Sequence, residues 1–110
     1  MEWWLINKVI LIGNLTKAVE LRFTKTGLAV ANFTLAVNRE IKKEDGTRDV
    51  DYLSCIIYGK QAEALSKYMD KGSKVSVEGH IQTGSYEKDG KKVYTTDIVV
   101  EKIQFLDSKK

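Results

Sequence analysis

The sequence predicts an all-β fold: a five-stranded barrel with one α-helix between its third and fourth strands. Three observations carry this. First, Tyr52–Gly79 changes its apolar period from two to about 3.6 and back, which reads as strand, helix, strand. Second, Asp45-Gly46 and Asp89-Gly90 each stand between alternating runs, the strongest short hairpin signal. Third, the chain has 110 residues and no proline, the size of one domain. Strand-rich chains of that size remove exposed edges by closing on themselves.

The elements follow in order. Lys8–Leu15 (KVILIGNL) is a β-branched and aliphatic run that reads as a strand buried on both faces. Gly13 within it marks a bulge or a close backbone approach. Trp3 and Trp4 precede it; they could pack on a neighbouring subunit, cover the barrel or add a stacking ring, and packing is the expectation. Thr16–Thr26 is a polar connection containing a short Glu20-Leu21-Arg22-Phe23 alternation, and Thr26-Gly27 is a turn. Leu28–Arg39 is a long strand with Phe33, Leu35 and Val37 on one face and Asn32, Thr34, Ala36 and Asn38 on the other. Lys42–Arg48 is a charged loop. Tyr52–Tyr58 sets Leu53, Cys55 and Ile57 against Tyr52, Ser54, Ile56 and Tyr58, and Gly59 punctuates its end. Lys60–Asp70 spaces Ala62, Leu65 and Met69 as a helix face, with Lys71 in the last turn and Gly72 as the stop. Lys74–Tyr86 resumes the period of two. A hairpin at Lys88–Lys91 leads into the last strand, Val93–Phe105. This strand and helix order is that of the OB-fold. It occupies residues 1–106 as one domain, with 107–110 a short polar end.

Composition narrows the function classes. Charged residues are 30% and apolar residues 43%, a globular balance. The net charge of +3 permits a polyanionic partner without demanding one. Cys55 is the only cysteine, which excludes an intrachain disulfide and fits a reducing, cytoplasmic setting. No stretch is long enough to span a membrane. The start, MEWWLINKVILIGNL, lacks the basic opening and small-residue cleavage site of a signal peptide.

Catalysis is poorly supported, and no catalytic residue is assigned. A Cys55–His80 nucleophile pair would use the only thiol and the only histidine, but core cysteines and satisfied histidines are far commoner. Structural zinc needs about four Cys/His ligands. Asp49 and Asp51 share a strand face and could hold a cation; the plainer reading is a solvated strand entry. No metal or cofactor is expected. Glu78 is expected to make a structural hydrogen bond. The aromatics say more. Tyr52 and Tyr58 lie opposite the core face of their strand, Tyr86 ends the next strand, and Tyr94 is expected to face it across the hairpin. Arg39, Lys42, Lys43 and Arg48, then Lys60, Lys71 and Lys74, then Lys88, Lys91 and Lys92 interleave with these rings. Rings for bases and cations for phosphates are what a single-strand groove requires. Cross-strand tyrosine pairs and solubility charges explain the same pattern equally well.

Several longer segments resemble the bacterial and phage single-stranded DNA-binding protein family: NKVILIGNL, ELRFTKTGLAVANFTLAVNR, DYLSCIIYGKQAE, YMDKGSKVSVEGHIQT and YTTDIVVEKIQFL, from Asn7 to about Phe105. The resemblance implies an OB-fold, usually a homotetramer built as a dimer of dimers, that wraps single-stranded DNA with little sequence preference. It implies protection of exposed strands in replication, recombination and repair, in the cytoplasm at the nucleoid. By the same motifs Tyr52, Tyr58 and Tyr86 stack bases, and Arg22, Lys60 and Lys71 contact phosphates; Arg39 joins them as a candidate. Ile41 stands where relatives often carry an aromatic, and Gly84 and Ser85 where they often carry basic residues. Relatives typically continue into a Gly/Pro/Gln-rich tail with an acidic tip. This sequence stops at Asp107-Ser108-Lys109-Lys110, so tail-mediated replication and repair partners are not expected. The alternative is an OB-type protein-interaction or assembly module using the same face.

Overall fold

The structure, a computed structural model, describes residues 4–107. Trp3 lies outside them; Trp4 is exposed. The elements are β1 (Val9–Leu15), β2 (Glu20–Phe23), β3 (Ala29–Lys42), β4 (Arg48–Tyr58), α1 (Lys60–Tyr68), β5 (Lys74–Lys88) and β6 (Lys91–Phe105). Five strands close in the order β1-β5-β6-β4-β3, with β1 returning to β3 at Asn14–Ala36 and Leu15–Leu35. All pairings are antiparallel except β4 with β6, which run parallel at Cys55–Ile98 and Ile56–Val99. The helix follows the third barrel strand and precedes the fourth, the expected OB-fold order. The Glu20–Phe23 alternation is itself a strand: β2 pairs with β3 on the edge that β1 leaves free, from Glu20–Asn32 to Phe23–Ala29.

The period of two places the core. Phe33 and Leu35 of β3, Cys55 and Ile57 of β4, Val75 and Val77 of β5, and Ile98 and Val100 of β6 meet inside the barrel. Fully burying an aliphatic side chain such as Leu35 or Ile57 stabilises the fold by about 1.5–3 kcal/mol. Ala62 and Leu65 bring one face of α1 onto this core. Gln61 fastens the start of the helix to β6. Its Nε2 donates to the Glu101 carbonyl (3.1 Å), and its Oε1 accepts the Ile103 N–H (3.1 Å). Glu101 is the extra residue of a bulge, since Glu78 pairs with Lys102 and Gly79 with Val100.

β1 differs from its expected burial on both faces. Leu15 is buried, but Ile10 and Ile12 are 66% and 57% exposed on the outer side. In a barrel of this size only one face of each strand reaches the interior. Gly13 is where β1 crosses closest to β3: a Cβ there would stand 2.5 Å from the Ala36 carbonyl oxygen and 2.9 Å from Leu35 Cγ. Asn7 extends the β1–β5 ladder with its side chain, which exchanges hydrogen bonds with both backbone groups of Ile81 (2.8 and 2.9 Å).

The helix is shorter than Lys60–Asp70. It ends at Tyr68, and Met69 is already extended though still buried. The cause is a competing turn. The Ser73 hydroxyl accepts the Asp70 N–H, and the Ser73 N–H bonds the Asp70 carbonyl, both at 3.0 Å. Lys71 therefore sits in this turn, and Lys67 occupies the last helical turn. Gly72, at φ +90°, supplies the left-handed residue that the turn needs.

Candidate nucleic-acid interface

The outer surface is built in rows set by strand register. Tyr58 of β4 lies opposite Val30 of β3, which lies opposite Arg22 of β2. The next row is Glu20, Asn32 and Ile56, and it continues through Val99 of β6 to His80 of β5. Arg22 donates a hydrogen bond to the Asn32 side-chain oxygen, which draws its guanidinium along the sheet. Tyr52 belongs to a separate row with Ala36 and Asn14. Tyr52 and Tyr58 are six residues apart, or about 20 Å along a strand.

Beside the two parallel pairs that join β4 and β6 lies a cleft of about 130 Å³. Ile56 and Tyr58 form one wall; Gln82, Thr83 and Gly84 of β5 with Thr95, Asp97 and Val99 of β6 form the other. Tyr86 lies two positions beyond Gly84 on β5, exposed and outside the cleft lining. Tyr94 does not face it. Tyr86 pairs with Val93 and Tyr94 with Ser85, so the two rings lie on opposite faces. Lys92 instead places its ammonium 5.9 Å from the Tyr94 ring.

Arg22 and Tyr58 thus share one row, and Tyr58 also lines the cleft. Lys60 is the first residue of α1, one position past Gly59, and is exposed. Lys71 lies elsewhere, in the turn held against the end of β1 by the Gly72 N–H to the Leu15 carbonyl (2.7 Å) and by Asn14 Nδ2 to the Gly72 carbonyl (3.0 Å). Arg39 is occupied: its Nη2 sits 3.0 Å from Asp51, and Asp49 is 4.0 Å from Nη1. This contact holds the Asp51 carboxyl below the usual aspartate range and raises Arg39. Asp49 also pairs with Lys43 at 2.8 Å. The two aspartates considered for a cation therefore hold protein cations. Ile41, on the same hairpin, is 84% exposed.

The catalytic pair is not assembled. Cys55 points into the core, where burial, with a contribution from the Asp97 charge, pushes its thiol up to about 12. His80 is on the outer face, 2.7 Å from Glu101. Glu78 pairs with Lys8 at 3.7 Å in place of the expected hydrogen bond. The cleft residues missing from the sequence reading are Gln82, Thr83, Thr95, Asp97 and Val99. Their strands were readable, but the pairing of β4 with β6 that brings them beside Tyr58 was not.

The profile of the single-strand binding protein family matches residues 6–106. A Listeria innocua protein named single-stranded DNA-binding protein 3 is 49% identical over 106 residues, covering 96% of this chain and 66% of the relative. A Clostridium perfringens protein named single-stranded DNA-binding protein is 53% identical over 105 residues, covering 94% of this chain and 67% of the relative. Single-stranded DNA-binding protein 1 of Streptococcus pyogenes is 47% identical over 106 residues, with coverage of 96% and 82%. The chain spans about two thirds of the length of the first two. A match over nearly the whole barrel, in segments from β1 to β6, places this chain in the single-strand binding protein family.

Proposed function

We propose that this chain binds single-stranded DNA with little sequence preference and no chemical step, and that it protects exposed strands during replication, recombination and repair. One observation supports this most: the row from Arg22 to Tyr58 leads into a cleft that Tyr58 itself lines. Every base has a π-face, so stacking on tyrosines is sequence-tolerant. Tyr52 extends the stacking path along β4. Arg22 and Lys60 track the backbone near the cleft, Lys71 does so at the end of β1, and Arg39 contributes when a phosphate displaces Asp51.

The active form on this reading is a homotetramer in the cytoplasm. Its support is β1, which meets β3 only at Asn14 and Leu15. Val9–Gly13 thus keeps an open edge, and Ile10 and Ile12 are uncovered beside it. Light scattering at micromolar concentration is expected to give four chains; a monomer would remove the assembly.

The deciding test is intrinsic fluorescence during titration with oligo-dT, repeated with duplex of equal length and at rising salt. Quenching by the single strand alone, reversed by salt through counterion release, is the expected result. No response to either ligand would overturn the proposal.

A further inference from the structure

We infer that Lys17, Thr34 and Ser54 form a phosphate-binding subsite between the two rings of the β4 stacking path. This rests on the binding of single strands proposed above. The outward side chains of β4 run Tyr52, Ser54, Ile56, Tyr58, so a strand stacked on both rings crosses the two rows between them. Ser54 stands about 7 Å from Tyr52 and about 13 Å from Tyr58 along β4. The Ile56 side chain offers a strand no hydrogen bond. Ser54 pairs with Thr34 of β3, and a second cleft, of about 180 Å³, lies at that row. Lys17, Glu20, Asn32 and Phe33 complete its lining. Its volume is several times the roughly 30 Å³ share of one water, which leaves room for a phosphodiester group.

The donors of this cleft are uncommitted. Among the described residues the Lys17 ammonium has no ion pair, and the Thr34 and Ser54 hydroxyls make no hydrogen bond. Only the backbone is engaged: the Thr34 carbonyl accepts from the Thr16 N–H (3.2 Å) and the Thr16 hydroxyl (3.4 Å), which fixes the chain just before Lys17. Asn32 accepts from Arg22 through its side-chain oxygen, so its amide N–H groups remain available and the guanidinium is held beside the cleft. Glu20 is the one acid in the lining, and Lys17 with Arg22 leaves the balance of charge in favour of an anion. A phosphate oxygen accepts from an ammonium and from hydroxyls, and its charge makes those bonds the stronger kind. Lys43 and Arg39, by contrast, are held by the chain's own aspartates.

The experiment measures oligo-dT affinity by anisotropy over a range of salt for the natural chain, Lys17→Gln, Ser54→Ala and the double variant. Lys25→Gln, which removes an equal charge from the exposed turn after β2, is the control. Equal melting temperatures establish that the variants fold. Lys17→Gln is expected to weaken binding severalfold at low salt and to lower the slope of log affinity against log salt by about 0.7, the share of one phosphate. Ser54→Ala is expected to weaken binding with the slope unchanged. Side chains that hold one phosphate act as a unit, so the double variant is expected to lose less than the product of the two single losses. If Lys17→Gln and Lys25→Gln lower the slope equally, Lys17 acts only through overall charge and the inference falls while single-strand binding stands. If the two losses multiply independently, no phosphate is shared and the inference falls likewise. If oligo-dT does not bind the natural chain, the proposed function falls and the inference with it.

Discussion

The β3–β4 hairpin and the cleft beside the β5–β6 hairpin carry the same kinds of residue, yet the fold makes them different surfaces. On the β3–β4 hairpin the cations are held by the chain's own acids: Arg39 by Asp51 and Asp49, Lys43 by Asp49. Arg48 turns inward and donates to the Arg39 and Glu40 carbonyls (3.3 and 2.7 Å). At the cleft the exposed Tyr58 forms part of the wall, and Lys60, two positions on, has no ion pair among the described residues. A count of lysines and arginines treats the two regions alike. A phosphate must displace Asp51 to reach Arg39, whereas at Lys60 it displaces only water.

The largest expected contrast is in stacking. Tyr58→Ala should weaken oligo-dT binding by about fivefold to a hundredfold, since stacking on an aromatic is worth about 1–3 kcal/mol per base. Ile41→Ala, at the exposed tip of the other hairpin, should leave affinity unchanged. Anisotropy titrations of the two variants decide it: equal losses would make the hairpin part of the stacking path and erase the contrast.

A smaller contrast lies in salt dependence. Each phosphate neutralised on a single strand adds about 0.7 to the slope of log affinity against log salt. Lys60→Gln should lower the slope by about that amount, and Arg39→Gln by clearly less. The reverse order would make the β3–β4 hairpin the principal phosphate surface. Asp51→Asn sharpens the same point by releasing Arg39. Its slope should rise above that of the natural chain, and a fall would show that Asp51 positions Arg39 for the strand.

The smallest effect is on stability. Asp51 has a depressed pKa in the folded chain, with the Arg39 hydrogen bond the largest cause. Its contribution is therefore present above the ordinary aspartate value of 3.8 and is lost as pH falls through the lower folded value. Thermal melts of the natural chain and Asp51→Asn should differ by a constant small amount at neutral pH and converge in the acid range. Both groups are exposed, so the gap is small, and divergence toward low pH would contradict the pairing.

Much of the frame was legible because its signals are local. Alternation in β3 and β4 placed Phe33, Leu35, Cys55 and Ile57 inside and Tyr52 and Tyr58 outside. Gly13 announced a close approach, and β3 provides it. The hairpin register was legible too, though the expectation that Tyr94 faces Tyr86 missed it. A two-residue Asp89-Gly90 turn makes Lys88 and Lys91 partners, and counting back from them puts Tyr86 opposite Val93. The end of α1 was harder to read, since the Asp70–Ser73 turn competes with the helix through a single serine hydroxyl.

By itself, then, the sequence determined the strand and helix order, the inward face of each central strand and the family, because periodicity and turn chemistry act between near neighbours. Only the tertiary structure decided that Ile10 and Ile12 stay uncovered, that Arg39 is held by Asp51, and that Tyr58 and Asp97 line one cleft. Those outcomes depend on how the barrel closes and where β4 meets β6. Both are set by pairings between residues about 20 to 70 positions apart in the chain.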